Sequence, residues 1–150
     1  MSTHRVIKEI YMSLVACVAL VACFSSLPPE TVVQDLVFSK SLSAFVKEAD
    51  SPVHDSRLNW TTDGCSAPVV GSTGRSFDFY NACRRHDFAY RNLATLQNGK
   101  LWTPKLRARV DAVFKKDMTA DCLKRKKPSR TTCLSWAETF YRVVRAYGDK

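Results

Sequence analysis

The chain has 150 residues, of which 45% are hydrophobic and 25% charged, and its formal net charge is +9. That length and balance predict one globular domain and exclude a disordered or fibrous chain. The basic excess favours anionic partners such as nucleic acid, an anionic lipid surface or an acidic substrate, and says nothing about fold.

The first stretch is a short polar start with Arg5 and Lys8, then an apolar run over 10–24 broken only by Tyr11 and Ser13, then Ser25-Ser26 and Pro28-Pro29. This is the pattern of a secretory signal peptide, with small residues for cleavage near Ala22-Cys23. The run is short for a bilayer span of about 20 residues. Residues 1–24 are expected to be removed on export, which leaves a secreted single domain over 25–150 whose first part, 25–57, is open to trimming. A retained signal anchor is one other reading. A second is a lipoprotein box, Leu20-Val21-Ala22-Cys23, which would leave a lipidated Cys23.

Beyond the leader four cysteines remain: Cys65, Cys83, Cys122 and Cys133. An even number in an exported chain implies two disulfides. Three pairings are possible; Cys65–Cys83 with Cys122–Cys133 closes two short local loops and is the pairing expected. No C-x-x-C spacing is present, which argues against a thiolate metal cluster.

Residues 31–49 carry apolar side chains at helical spacing, and Ser51-Pro52 ends the pattern. A polar connector follows over 53–60, and its His54-Asp55 pair reads as solvated loop. It also holds the start of an acceptor sequence for N-glycosylation, Asn59-Trp60-Thr61. Residues 61–75, with Gly64, Pro68, Gly71 and Gly74, read as loop and lack the lysine of a phosphate-binding P-loop. A first long helix is predicted over 77–96, with Asn98-Gly99 as the turn after it. Thr103-Pro104 supplies an N-cap and a first-turn proline for a second long helix reaching about Cys122. A basic loop spans 124–130, and a last helix covers about 134–147, capped by Gly148. The expected architecture is all-α: two long antiparallel helices joined by a short turn and flanked by helices at each end.

Chemistry concentrates in the first long helix. Cys83, His86, Asp87 and Tyr90 are spaced i, i+3, i+4 and i+7 and so share one face. The chain has no G-x-S-x-G elbow and no H-E-x-x-H, and its mature cysteines are expected to be oxidised. A hydrolase built on it would use water as nucleophile with a histidine base, and beyond the leader only His54 and His86 are available. His86 needs an acid to orient its second ring nitrogen. Asp87 projects about 100° away around the helix. The facing helix offers Asp111 and Asp117, and helix phase does not decide between them. Asp87 and the loop Thr62-Asp63-Gly64-Cys65 present oxygen ligands that suit a hard cation such as Ca²⁺, with weak binding of order 10⁻⁴–10⁻³ M from two carboxylates.

The segment Cys83-Arg84-Arg85-His86-Asp87-Phe88-Ala89-Tyr90 resembles the C-x-x-H-D-x-x-Y active-site helix of secreted phospholipases A2. With Asn59-Trp60-Thr61-Thr62-Asp63-Gly64-Cys65-Ser66 and Lys105-Leu106-Arg107-Ala108-Arg109-Val110-Asp111, it is similar to the small bacterial and fungal group, over about 58–147. The animal enzymes carry more disulfides and a glycine-rich calcium loop, which this chain lacks. The resemblance implies Ca²⁺-dependent hydrolysis of the sn-2 ester of glycerophospholipids. It gives His86 the role of general base, Asp111 that of its orienting partner, and Tyr90 a hydrogen bond to that carboxylate. Asp63 and Asp87 would supply carboxylates to Ca²⁺ and Gly64 its carbonyl; this glycine sits where relatives can carry a larger residue, which a backbone ligand tolerates. The implied partner is a phospholipid membrane or micelle surface, met by a monomer; no nucleic acid is expected, because the basic residues cluster in one loop rather than a groove. The basic loop, with Lys124, Arg125, Lys126, Lys127 and Arg130, reads as a solvated loop, and binding of anionic head groups is its functional reading. Trp60 and Trp102 are read as packing rather than membrane-inserting side chains. A different class of function on the same fold is a non-catalytic, cationic, membrane- or host-binding protein; the presence of His86, Asp87, Asp111 and Asp63 together argues against it.

Overall fold

A computed structural model describes residues 27–65 and 77–148. The expected leader, with its alternative Cys23 anchor, and most of the loop after Cys65 lie outside the described residues. The described chain is all-helical. Helix α1 spans Pro29–Gln34 and continues as a wider π-type turn over Asp35–Ser39. Helix α2 is Leu42–Ala49, α3 is Tyr80–Leu93, α4 is Pro104–Leu123 and α5 is Ser129–Tyr147. Among the described residues there is no strand, and no helix is long and apolar enough to cross a membrane.

The two long helices over α3 and α4 run antiparallel, as their side-chain pairs show. Arg107 meets Tyr90, Asp111 meets His86, and Asp117 meets Arg85, so the partner number on α3 falls as that on α4 rises. The same holds between α4 and α5, from Asp111–Arg145 through Lys115–Glu138 to the Cys122–Cys133 disulfide. Both expected disulfides are formed, Cys65–Cys83 and Cys122–Cys133, with sequence separations of 18 and 11 residues. Loops of that size stabilise a fold by about 2–4 kcal/mol each.

Local chemistry explains most boundaries. The Thr103 hydroxyl accepts the Leu106 N–H, and Pro104 occupies the first turn, where it loses no helical hydrogen bond. Such a cap contributes about 1 kcal/mol. The turn between α3 and α4 places Gln97, Asn98 and Gly99 all at positive φ, 52°, 57° and 76°.

Four features differ from the sequence reading. The helical pattern over 31–49 is broken: Lys40 is extended, and Ser41 caps a new helix by accepting the Ala44 N–H. Apolar periodicity continues through the break, so it alone does not reveal it. Helix α3 starts at Tyr80 rather than at residue 77, because Phe77 and Phe79 are both buried with exposed Asp78 between them, an alternation that helical geometry does not allow. Asp78 instead turns its carboxylate back onto the Tyr80 N–H. Helix α5 starts at Ser129, directly after Pro128, which shortens the basic loop. Arg125 and Arg130 fold inward onto Asp121 and the Arg125 carbonyl, while Lys124, Lys126 and Lys127 stay exposed. Lastly, His54-Asp55 is ordered: His54 is hydrogen-bonded to the Ser51 carbonyl and packs on Trp60, and Asp55 is paired with Arg57.

Two apolar clusters flank the middle of α3. One, on the α5 side, gathers Phe79, Cys83, Phe114, Met118 and Phe140 with both disulfides. The other gathers Phe88, Ala89 and Leu93 of α3 with Val33, Val37 and Phe45 from the N-terminal helices. Trp60 packs on Phe88 at 4.5 Å between ring centres and Trp102 edges onto Tyr90 at 4.7 Å, so both serve packing. His86 lies between the clusters, its ring 4.6 Å from Phe114 and 4.4 Å from Tyr90.

Candidate active site

The helical spacing of α3 turns Cys83, His86, Asp87 and Tyr90 toward two neighbouring elements: Cys83 and Asp87 meet the loop that ends at Cys65, and His86 and Tyr90 meet α4. Cys83 is bonded to Cys65 and ties the incoming loop to the first turn of the helix. His86 Nε2 donates to Asp111 Oδ1 at 2.8 Å, and the Tyr90 hydroxyl donates to the same oxygen at 2.7 Å. A carboxylate only accepts, so the proton sits on Nε2 and the lone pair on Nδ1. Nδ1 makes no hydrogen bond among the described residues. The ring is held by two aromatic neighbours, Tyr90 and Phe114, and through one nitrogen, with its second nitrogen left for chemistry.

Asp111 is fully buried. Burial alone would push its carboxyl up, but the bonds from His86, Arg145 and Tyr90 outweigh burial and hold it below its ordinary value. Tyr90 shifts the other way. Burial, then the neighbouring Asp111 carboxylate, raise its phenol well above the usual range, so it remains a proton donor in that bond. Asp117, the other acid left open on α4, is committed elsewhere. Its two oxygens are taken by Arg85, at 2.9 Å from Nε and by further contacts from Nη2, while Arg85 Nη1 takes the Lys40 carbonyl freed by the break after α1. Burial pushes the Asp117 carboxyl up and the Arg85 guanidinium pulls it back.

Residues 33–148 match the profile of the prokaryotic phospholipase A2 family. The chain belongs to that family. Secretory phospholipase A2 of Beauveria bassiana (strain ARSEF 2860) is 32% identical over 145 residues, covering 94% of this chain and 72% of the relative. Secretory phospholipase A2 of Arthroderma benhamiae (strain ATCC MYA-4681 / CBS 112371) is 31% identical over 121 residues, 79% and 78% of the two chains. The protein is thus a phospholipase A2, a hydrolase acting on lipid. The matched span contains every residue that the sequence singled out for chemistry.

Phospholipases A2 are generally calcium-dependent, and the donor set beside His86 fits such an ion. Asp87 Oδ2 accepts from the Thr62 hydroxyl at 2.6 Å and from the Asp63 N–H at 3.2 Å, which brings the loop acid and the helix acid together. Burial pushes the Asp87 carboxyl up, the Thr62 hydroxyl pulls it back, and the Asp63 charge pushes it up again, for a net upward shift. A half-buried carboxylate that a second acid pushes toward its neutral form is relieved by a cation. The Asp63 carboxylate is mostly exposed and lies 3.4 Å from Arg91. No group of three or more His, Cys, Asp or Glu side chains converges among the described residues, so the donors would be these two acids and backbone oxygen. Gly64 sits at φ +72°, where a side chain is strained, and a Cβ there would meet the Tyr80 ring at 3.7 Å, an ordinary van der Waals contact. An alanine there is opposed by backbone conformation rather than by crowding of its Cβ.

Three participants escaped sequence reasoning. Thr62 stands next to Asp63 in the same loop, and its role as a hydroxyl donor to Asp87 had no signal of its own in the sequence. Arg107 lies one helical turn before Asp111, at i−4, and its Nε donates to the Tyr90 hydroxyl at 3.1 Å; that spacing was a usable signal. Arg145 reaches Asp111 from α5 at 2.7 Å across 34 residues of sequence, and nothing local announced it.

Proposed function

We propose that this phospholipase A2 hydrolyses the sn-2 ester of glycerophospholipids in a Ca²⁺-dependent reaction, with His86 as general base and Asp111 as its orienting acid. The observation that carries the reading is the 2.8 Å bond from His86 Nε2 to a buried carboxylate, beside a helix acid, Asp87, that accepts the backbone N–H of the loop residue Asp63. Asp63, Asp87 and the Gly64 carbonyl would hold the ion. When bound, Ca²⁺ would offset negative charge on the lipid phosphate and on the ester oxygen as the carbonyl is attacked.

The chain's own residues carry the protons. Nδ1 of His86 accepts a proton from water as the water oxygen bonds to the ester carbon. Asp111 stabilises the imidazolium so formed and keeps its ring from turning, and Tyr90 fixes the oxygen that does so. The ester C–O bond then breaks, and Nδ1 returns the proton to the leaving glycerol oxygen. Products are a lysophospholipid and a fatty acid.

Both named relatives are secretory enzymes, and the N-terminal apolar run supports export of this one as well. We read it as a monomer working at a phospholipid surface, where the exposed Lys124, Lys126 and Lys127 face anionic head groups. The test is release of fatty acid from lipid labelled at sn-2, with Ca²⁺ and with chelator. His86→Ala is expected to abolish release and to leave Ca²⁺ binding by calorimetry nearly intact. Release that persists in chelator, or in His86→Ala, would sink the reading.

A further inference from the structure

We propose that Arg145, in the last turn of α5, is a positioning residue for this hydrolysis: it holds one oxygen of Asp111 so that the other is presented to His86. The carboxylate has a strict division of partners. Oδ1 receives His86 Nε2 at 2.8 Å and the Tyr90 hydroxyl at 2.7 Å. Oδ2 receives Arg145 Nη1 at 2.7 Å, with Arg107 Nε farther off at 3.9 Å. A carboxylate turns about its single bond unless both oxygens are engaged. With Oδ2 held, rotation would break three short bonds at once, so the oxygen facing His86 stays where the imidazole needs it.

Arg145 is itself held in place. Arg107 Nη2 donates to the Val144 carbonyl at 2.7 Å and to the Arg145 carbonyl at 2.9 Å, which binds the open C-terminal end of α5 to α4. Arg107 Nε also reaches the Tyr90 hydroxyl. Asp111, Arg145, Arg107 and Tyr90 therefore form a closed ring of contacts drawn from three helices. Arg145 enters it from the surface, with a side chain 34% exposed, whereas Asp111 is fully buried. A planar guanidinium suits this post: it keeps its charge at every relevant pH and directs one N–H inward while the rest stay hydrated. The Arg145 side chain contacts neither His86 nor the acids Asp63 and Asp87, and its hydrogen bond goes to Asp111, so its effect on His86 runs through that carboxylate.

The inference rests on the reading of His86 and Asp111 as a dyad, and the experiment separates the two. Initial rates are measured on a short-chain phosphatidylcholine kept monomeric, in saturating Ca²⁺, for wild type and for Arg145→Met, Arg145→Ala, Arg145→Lys, Arg142→Met, His86→Ala and Asp111→Asn. Arg145→Met is expected to lower kcat by about 10- to 100-fold with KM within about twofold, since orientation of the base is lost and substrate contacts are not. Arg145→Lys is expected to recover most of the loss, and millimolar guanidinium part of the loss in Arg145→Ala. Arg142, one turn earlier and paired at the surface with Glu138 at 2.8 Å, serves as control, and Arg142→Met is expected to match wild type. Wild-type kcat in Arg145→Met overturns the inference. So does a variant that fails to fold, or whose KM rises as kcat falls without recovery by lysine, because either assigns Arg145 a structural role. Full activity in His86→Ala or Asp111→Asn would overturn the dyad itself, whatever Arg145 does.

Discussion

Arg85 takes both oxygens of Asp117, and this pairing decides which acid of α4 is left for His86. The two acids predict different losses. Asp111→Asn is expected to lower kcat by at least about 10²-fold, as loss of the group that orients a general base does. Asp117→Asn is expected to cost about 3–5 kcal/mol of stability by leaving a buried guanidinium uncompensated, while its folded fraction keeps most of the wild-type kcat. Urea unfolding beside initial rates reads both. A catalytic collapse in Asp117→Asn at full folding would reverse the assignment.

Asp87 predicts a crossing of stabilities. An acid whose folded pKa is raised contributes stability only at low pH and loses it as pH rises through the folded value, so ionised Asp87 is a burden near neutrality without a cation. In chelator, Asp87→Asn is expected to melt at or above wild type. In Ca²⁺ at about 100 times its dissociation constant, wild type gains about 2.7 kcal/mol by mass action and the variant does not. Thermal melts in the two conditions check the order. Parallel curves would show that Asp87 holds no ion.

Asp111 has the opposite sign. Its folded pKa lies below its ordinary value of 3.8, so its contribution is present above that value and is lost as pH falls through the lower, folded one. Wild type is expected to lose stability steeply below about pH 4, and Asp111→Asn to show a shallower slope over the same range. Denaturant melts at a series of acid pH values measure the difference. Equal slopes would mean that His86, Arg145 and Tyr90 do not hold the carboxylate in its charged form.

Gly148 makes a case against a purely local reading. It caps α5 as expected, but at φ −69° rather than in the left-handed region, so backbone freedom does not explain it. A Cβ there would lie 2.7 Å from the Val144 carbonyl and 2.9 Å from the Tyr90 hydroxyl. Gly148→Ala is thus expected to destabilise by about 1–3 kcal/mol and to reduce kcat by displacing Tyr90. Helix propensity alone predicts a gain of up to about 1 kcal/mol, so the sign of the melting shift discriminates.

Short-range physics was legible in the chain. The i, i+3, i+4, i+7 face of α3, the Thr103-Pro104 start of α4 and the parity and spacing of four cysteines all depend on neighbours within a few turns, and all stand in the structure. The break at Lys40 and the non-helical Phe77–Phe79 segment do not show in the sequence because each is set by burial against another element rather than by its own periodicity. The same holds at the site. The sequence by itself determined which residues could act: one histidine on the right helix, one acid beside it and one acid in the loop before it. Helix phase left Asp111 and Asp117 open and only the family resemblance favoured Asp111; the tertiary structure pairs His86 with Asp111 and Arg85 with Asp117, supplies Arg145 from a helix 34 residues away, and shows why position 148 has no room for a side chain. Those outcomes depend on how α3, α4 and α5 are rotated against one another, and that rotation is settled by the packing of two apolar clusters, not by any one segment.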